Sequence, residues 1–269
     1  MQVSHGYQAT CFPSLKLVTV FFLFFTILIL IFALYEVQYF FVFEPKKYRR
    51  EPLDERYTPL EIYAEDGTLL EGIIFTPQHF SHTILYFGGR SQDSVALIHK
   101  LTCNFENCQI VTFNYRGYGD SKGKATEKNL YSDAYFIAKK IEEHYGKFSV
   151  MGFSIGSSVA AFVASKIEVK NLFLIGAFES VFSLFRAKAP LLPSFLIRYR
   201  FDTALHVSVV EAKSYLLSSK DDEIVPIENL YNLKKRIKNL VEYKELTSYN
   251  HDEILFSQET QDLVKRVLH

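Results

Sequence analysis

The chain has 269 residues, in which 30 basic residues balance 30 acidic ones. This length is enough for one large α/β domain or two small ones. Because the formal net charge is zero, no overall positive field favours a nucleic-acid partner.

The first apolar segment covers residues 17–35, carries no charged side chain and is bounded by Lys16 and Glu36. At about 1.5 Å per residue it matches a hydrocarbon core of about 30 Å. A cleaved signal peptide is the alternative, but its apolar region is shorter and ends at small residues, which do not follow here. Since apolar residues resume after Glu36, we predict a transmembrane anchor over residues 17–43, after an N-terminal tail over residues 1–16.

The anchor is followed by a charged linker over residues 44–57, which contains two prolines. Four of its basic residues lie close to the apolar segment, whereas only Lys16 lies close before it. Because positive charge near a span tends to remain in the cytoplasm, the asymmetry predicts that the rest of the chain is cytoplasmic. The opposite orientation, in which a first span exports the domain behind it, remains open.

Residues 58–269 alternate between short β-rich runs and helical patterns, which predicts one α/β domain: a mostly parallel, eight-stranded sheet with helices on both faces. The predicted strands are 60–64, 70–76, 83–87, 109–114, 148–152, 171–176, 214–218 and 241–246. The predicted helices are 91–101, 127–144, 155–166, 227–238 and 252–268. Residues 177–212 interrupt the alternation with two prolines and a second apolar stretch, which indicates a small cap over the sheet.

A candidate nucleophile, Ser154, lies between a predicted strand and a predicted helix in the sequence Gly-Phe-Ser-Ile-Gly. A serine on so sharp a turn has a strained backbone, and its neighbours two residues away must be small, as Gly152 and Gly156 are. The turn also directs the N-terminus of the helix at the nucleophile, so that the N–H of Ile155 can stabilise an oxyanion. A glycine-flanked helix start is the alternative, but the context resembles the nucleophile elbow of the α/β-hydrolases.

A nucleophilic serine needs a base, and the base needs an orienting carboxylate. In α/β-hydrolases the chain order is serine, acid, histidine. Only His251 and His269 follow both Ser154 and the acidic loop 221–223. His251 lies in a polar loop after a predicted strand, where sites of open α/β folds occur, so we predict it as the base. The alternative is a surface histidine, and the three carboxylates of the loop remain in competition for the role of the acid.

Three motifs resemble the membrane-associated α/β-hydrolase-domain family, which includes bacterial inner-membrane hydrolases and eukaryotic protein depalmitoylases. Residues 114–123 are similar to NYRGYGxSxG, residues 200–203 to RFD(S/T), and residues 222–226 to D-x-x-V-P. The resemblance covers about residues 58–268. It implies the eight-stranded α/β-hydrolase fold and hydrolysis of acyl esters or thioesters without a cofactor, and it selects Asp222 as the acid.

The chain departs from the family after the third strand, where the usual H-G-N is replaced by Gly88-Gly89-Arg90. The family pattern implies that the backbone N–H of Arg90 is an oxyanion donor together with that of Ile155. A backbone donor does not depend on its side chain, so we expect the hole to survive, although the rigidity of the loop is in question. The Arg90 guanidinium either faces solvent or meets an anionic group of the substrate.

Other residue types support fewer roles. We interpret Tyr115, Arg116 and Tyr118 as packing residues of a tight glycine-containing loop. Cys103 and Cys108 could pair in an oxidising compartment, but inert thiols are the favoured interpretation. The sequence has neither a CxxC pair nor an HExxH motif, and we predict no metal and no other cofactor.

Together these features predict a membrane-anchored serine hydrolase that uses Ser154, Asp222 and His251 to cleave an acyl ester or thioester. Its expected partners are a small-molecule or lipid-like acyl substrate, or an acylated protein, and membrane lipid, but no nucleic acid. Two alternatives remain. One is a peptidase or amidase on the same fold, and the other is a non-catalytic membrane-bound binding protein.

Overall fold

A computed structural model describes residues 15–102 and 107–268. Its first element is the 28-residue helix α1 (Leu15–Val42). The part Val18–Val42 is long and apolar enough to cross a membrane, and its most apolar stretch is not buried against the rest of the protein. An apolar helix therefore lies where the transmembrane anchor was predicted, and as a candidate membrane span it continues without a break past Glu36.

Eight strands and seven further helices follow α1 in the described part of the chain. The strands are β1 (Tyr57–Tyr63), β2 (Leu69–Phe75), β3 (His82–Phe87), β4 (Cys108–Phe113), β5 (Ser149–Phe153), β6 (Asn171–Ile175), β7 (Lys213–Ser219) and β8 (Leu240–Leu246). The helices are α2 (Ile98–Thr102), α3 (Glu127–Tyr145), α4 (Ile155–Lys166), α5 (Val181–Lys188), α6 (Thr203–Val207), α7 (Ile227–Lys234) and α8 (Gln258–Leu268). Short 3₁₀ turns cover Ser194–Leu196 and Ile254–Phe256.

The strands form one sheet in the order β1-β2-β4-β3-β5-β6-β7-β8. The pairs β1–β2 and β2–β4 are antiparallel, and the remaining pairs are parallel. The predicted eight-stranded, mostly parallel sheet is thus confirmed. Because parallel strands need crossover connections, the helices lie on its two faces.

Alternate residues of the central strands point into two separate cores, as the two-residue period of a strand requires. In β3, Leu85 and Phe87 belong to the core beneath α3 and α4, whereas Ile84 and Tyr86 belong to the core beneath α2 and α8. The central strands are therefore buried on both faces. This explains why they are continuous apolar runs in the sequence.

The segment predicted as a charged linker lies against the α/β domain and is attached to it by ion pairs. Arg50 donates to Asp93 at 2.6 Å and to Glu71 at 2.5 Å, and Lys47 pairs with Asp120. The Asp93 side chain is completely buried, and a buried carboxylate needs such a partner. Asp93 also accepts the N–H of Ala96, within a series of turns that precedes α2. Because α2 begins only at Ile98, it is shorter than the predicted helix 91–101.

The cap lies between β6 and β7 and consists of α5, the 3₁₀ turn and α6. Its two ends are joined by an antiparallel bridge between Ser180 and Asp202. Asp202 also caps the N-terminus of α6 by accepting the N–H of Leu205, while Glu127 accepts the N–H of Phe201. The RFD(S/T)-like motif therefore closes the cap and attaches it to α3.

Candidate active site

Ser154 occupies the sharp turn between β5 and α4, with φ of 53° and ψ of −120°. A non-glycine residue rarely adopts this conformation, and the surrounding packing has to maintain it. A Cβ on Gly152 would lie 2.2 Å from the carbonyl oxygen of Gly156, and one on Gly156 would lie 2.1 Å from that of Phe87. Only glycine fits at these two positions, as the GxSxG spacing predicts.

His251 lies in the loop after β8 and is 5% exposed. Its Nε2 is 2.8 Å from Ser154 Oγ, and its Nδ1 is 2.7 Å from Asp222 Oδ2. With a proton on Nδ1, the ring donates to the carboxylate and accepts the serine hydroxyl. The fold therefore brings together the three residues predicted as nucleophile, base and acid, from loops that are far apart in sequence.

The environment of His251 includes residues that the sequence patterns do not reveal. The Glu223 carboxylate accepts the backbone N–H of His251 at 3.3 Å, and the Phe153 ring lies 5.2 Å from the imidazole. A Cβ on Gly176, whose φ is +56°, would be 3.2 Å from the imidazole Cε1. Phe153 therefore packs against the imidazole, Gly176 leaves room for it, and Glu223 holds the backbone of the loop that carries it.

The two adjacent aspartates of the acidic loop point to different partners. Asp222 Oδ1 accepts the N–H groups of Ile224 and Val225, each at 2.8 Å, which leaves Oδ2 for His251. Asp221 instead accepts the N–H of Ser248 at 2.6 Å. The D-x-x-V-P spacing thus has a physical basis, because Val225 donates to the aspartate three residues before it.

The loop Gly88-Gly89-Arg90 follows β3 and lies beside the nucleophile elbow, where a Cβ on Gly89 would be 3.6 Å from Ser154 Cβ. Within the described residues, the backbone N–H groups of Arg90 and Ile155 have no hydrogen-bond acceptor. Free N–H groups beside a nucleophile can receive an oxyanion. The geometry is compatible with the role predicted for both donors.

Side-chain hydrogen bonds hold this loop in the absence of the family's histidine and asparagine. Gln92 accepts from the Tyr86 hydroxyl and from the N–H of Gly89. Tyr115 donates to the Gly88 carbonyl at 2.9 Å, and Tyr118 donates to the Arg90 carbonyl at 2.6 Å. Burial raises the pKa of both phenols above its usual value, so each remains a donor. The two tyrosines pack as predicted, and their hydroxyls also position the loop, which the sequence did not reveal.

We expect Tyr118→Phe to lower kcat about tenfold, equivalent to about 1.4 kcal/mol in the transition state, because the Arg90 carbonyl loses a donor and the loop loosens. The free energy of unfolding should fall by about 1 kcal/mol. Tyr131→Phe is the matched control, since its hydroxyl contacts Ser158 far from the loop. Steady-state kinetics and denaturant unfolding test this, and an equal loss of kcat in both variants would contradict it.

An apolar cavity of about 180 Å³ opens beside Ser154. Its walls come from α1, the elbow, the Arg90 loop, the cap and the acidic loop. The lining residues are Phe41, Val42, Arg90, Ser154, Ile155, Phe178, Val181, Leu184, Phe185, Lys188 and Ile224. A cavity of this composition accommodates an apolar group next to the serine hydroxyl.

Two further sequence expectations have structural counterparts. The Arg90 side chain is exposed to solvent, one of the two expectations for it, and its guanidinium also donates to the Phe40 carbonyl at 3.3 Å and pairs with Glu44 at 3.2 Å. Cys108 is a buried free thiol, and burial raises its pKa to about 11, so it is inert. Cys103 and the alternative base His269 lie outside the described residues.

Comparison with known proteins identifies the fold. A sequence profile of the α/β-hydrolase fold matches residues 87–211, which include the elbow and the three elements of the cap. The Pyrococcus furiosus esterase Pf2001 superposes with a TM-score of 0.66 over 84% of this chain and 97% of its own, at 19% identity. The chain has the α/β-hydrolase fold.

Curated proteins similar to this chain include the zebrafish (Danio rerio) lysophosphatidylserine lipase ABHD12, which is 27% identical over 61% of the chain. The human (Homo sapiens) α/β hydrolase domain-containing protein 17C is 26% identical, also over 61% of it. In each case the alignment spans 50% of the relative's own length. The family resemblance predicted from the three motifs is therefore confirmed.

Proposed function

We propose that the protein is a membrane-anchored serine hydrolase that cleaves an acyl ester or thioester. The observation that carries the proposal is the continuous hydrogen-bond chain from Ser154 Oγ through the imidazole of His251 to Asp222. A buried carboxylate, an oriented imidazole and a strained serine together are the arrangement used for acyl transfer. The apolar cavity beside the serine and the lipase and esterase relatives support an acyl substrate.

In the first half of the reaction, Ser154 Oγ attacks the acyl carbonyl carbon while His251 Nε2 removes the hydroxyl proton. Asp222 holds the Nδ1 proton and stabilises the imidazolium that forms. The imidazolium then gives its proton to the leaving alcohol or thiol, and an acyl-enzyme remains on Ser154. In the second half, His251 deprotonates a water molecule that attacks the acyl-enzyme, and the acid is released while Ser154 regains its proton.

The backbone N–H groups of Arg90 and Ile155 receive the negative charge that develops on the carbonyl oxygen. Such a donor contributes on the order of 3 kcal/mol to transition-state stabilisation. Arg90 lies on a loop held by Tyr115 and Tyr118, and Ile155 begins α4, so the fold holds both amides before the substrate binds. Their arrangement supports catalysis without a cofactor.

We expect kcat/KM for para-nitrophenyl esters to rise from acetate to longer acyl chains, until the cavity is filled. Each buried methylene contributes about 0.8 kcal/mol, or about fourfold in kcat/KM. Three apolar cap residues, Phe178, Leu184 and Phe185, line the cavity. A flat or falling profile from acetate to octanoate would count against an acyl pocket.

The same purified protein distinguishes ester or thioester hydrolysis from peptide cleavage and from binding without catalysis. Matched octanoyl ester, octanoyl thioester and peptide anilide substrates are compared at equal concentration. We expect turnover of the ester and the thioester, each abolished with loss of Ser154, and little cleavage of the anilide. Preferential cleavage of the anilide would replace the proposal with a peptidase, and an absence of turnover on all three would favour a binding protein.

Helix α1 supplies the proposed membrane anchor, and the basic residues after it predict that the hydrolase domain is cytoplasmic. We expect a C-terminal fusion of a fluorescent protein that matures only in the cytoplasm to fluoresce, and a C-terminal alkaline phosphatase fusion to be inactive. The reason is that Lys46, Lys47, Arg49 and Arg50 lie within the short flank that determines orientation. An active phosphatase together with a dark fluorescent fusion would reverse the orientation.

A further inference from the structure

The cavity beside Ser154 is bounded on one side by the end of the candidate transmembrane helix. Phe41 and Val42, in the last turn of α1, line it together with Phe178, Val181 and Phe185 on the opposite side. The rings of Phe41 and Phe185 meet edge to face with their centroids 6.4 Å apart. The helix that carries the protein in the membrane therefore also forms a wall of the site.

The end of α1 is attached to the cap by specific polar contacts. Gln38 is 2% exposed, donates to the Leu196 carbonyl at 2.7 Å and accepts the N–H of Arg198 at 2.9 Å. Arg198 in turn donates to Glu36 at 2.9 Å. A buried amide with both its groups bonded fixes the rotation and the height of the helix against its neighbour. The position of Phe41 is thus determined by the fold and not by a free linker.

Aromatic packing and the oxyanion loop complete the attachment. Phe43 is 1% exposed, and its ring contacts those of Tyr199 and Phe201 at 5.1 and 5.9 Å. Arg90, whose backbone N–H is the proposed oxyanion donor, donates through its guanidinium to the Phe40 carbonyl at the end of α1. One residue, Arg90, therefore carries a proposed oxyanion donor and also contacts the anchor.

The length of α1 indicates where the cavity lies relative to the bilayer. About 20 residues span the hydrocarbon core, so a span that starts at Val18 ends near Val37 and leaves Phe41 at the membrane surface. The cap next to this end exposes two large apolar side chains, Leu191 at 95% and Phe195 at 79%. Exposed apolar residues beside a membrane span are suited to contact with lipid.

We propose that the end of the membrane anchor is part of the acyl-binding site, with Phe41 as a specificity-determining residue, and that the acyl chain enters the cavity from the membrane surface. The inference rests on the proposed acyl hydrolase function. It goes beyond that function because it assigns the anchor a role in substrate selection as well as in location. An acyl chain resident in the bilayer reaches Ser154 along the wall formed by Phe41 without crossing bulk water.

The first test compares two adjacent phenylalanines of α1 in the full-length protein, reconstituted in lipid nanodiscs. Phe41→Ala changes the cavity wall, and Phe40→Ala is the matched control, because its side chain is 69% exposed and does not line the cavity. The readout is the ratio of kcat/KM for octanoate to that for acetate. We expect the ratio to fall about tenfold in Phe41→Ala and to change less than twofold in Phe40→Ala.

The second test does not depend on turnover. The Ser154→Ala protein in nanodiscs is irradiated with palmitic acid that carries a diazirine at its methyl end, and the labelled peptides are mapped by mass spectrometry. We expect label in the peptide that contains α5, and we expect excess unlabelled palmitic acid to displace at least four fifths of it. Helix α5 reports on the cavity because four of its residues line it together with Phe41 and Ser154.

The two tests separate this inference from the function on which it rests. Displaceable label on α5 without any ester or thioester turnover would overturn the proposed hydrolase function and leave the acyl site at the anchor standing. Ratios that are equal in Phe41→Ala and Phe40→Ala would overturn the inference, even with Ser154-dependent hydrolysis intact. Label on α5 that palmitic acid does not displace would overturn it as well.

Discussion

Ser154→Ala is expected to lower kcat for ester hydrolysis on the order of 10⁶-fold, because no other group can form the acyl-enzyme. The serine Oγ contacts His251 Nε2 at 2.8 Å, and its removal leaves an imidazole without a nucleophile to activate. The measurement is kcat for one octanoyl ester on the purified full-length protein, with circular dichroism to check folding. Removal of one oxygen from a half-buried side chain should leave the fold unchanged.

A serine outside the site provides the control for this substitution. Ser165 lies on α4, the same helix that the elbow begins, and its hydroxyl bonds only the Phe162 carbonyl. Ser165→Ala should retain the activity of the unmodified protein. If Ser154→Ala kept more than a few per cent of kcat while folded, the nucleophile would have to be another residue.

Asp222→Asn is expected to lower kcat about 10⁴-fold, with a much smaller change in KM. An asparagine in this position keeps the shape of the side chain. It can present an N–H to the imidazole Nδ1, which favours the tautomer whose Nε2 cannot accept the serine proton. The aspartate side chain is 3% exposed, so water cannot take over its role. Steady-state kinetics of the purified variant measure the loss.

Asp221→Asn is the matched control, since it changes the adjacent carboxylate in the same loop. Asp221 accepts the Ser248 N–H, and an asparagine oxygen can still accept it, so kcat should remain within a few fold of the unmodified protein. A larger loss in Asp221→Asn than in Asp222→Asn would show that the alignment of D-x-x-V-P with this chain is wrong by one residue.

Much of the fold could be predicted because its signals are local. Continuous apolar runs indicated the buried strands, and the glycines around Ser154 indicated a strand-to-helix turn that tolerates no Cβ. The order of the strands in the sheet has no such local signal. The position of β4 between β2 and β3 depends on crossovers that no short pattern records.

The candidate site could be predicted in unequal parts. Ser154 and His251 followed from local context and chain order, whereas the choice of Asp222 needed the family resemblance. The reason is physical: both residues are aspartates, and only the three-dimensional turn, in which Ile224 and Val225 donate to Asp222, distinguishes them. A sequence pattern contains no direct record of that turn.

The contacts that escaped prediction join distant segments. Gln38 and Leu196 are 158 positions apart in the chain, yet their hydrogen bond fixes the anchor against the cap. Tyr115 and the Gly88 carbonyl are 27 positions apart, and each segment alone looks like an ordinary turn. Such pairings depend on the assembled sheet. Through the first of these contacts, the end of α1 lies against the cap, where it lines the cavity beside Ser154.

Active-site labelling tests most directly whether Ser154 is the activated nucleophile of the proposed hydrolase. The purified full-length protein is treated with a fluorophosphonate, and the adduct is located by mass spectrometry of its peptides. We predict one adduct, on Ser154. It should form in the native protein, be prevented by prior denaturation and be absent from Ser154→Ala. An adduct on a different serine, or undiminished labelling of folded Ser154→Ala, would contradict it.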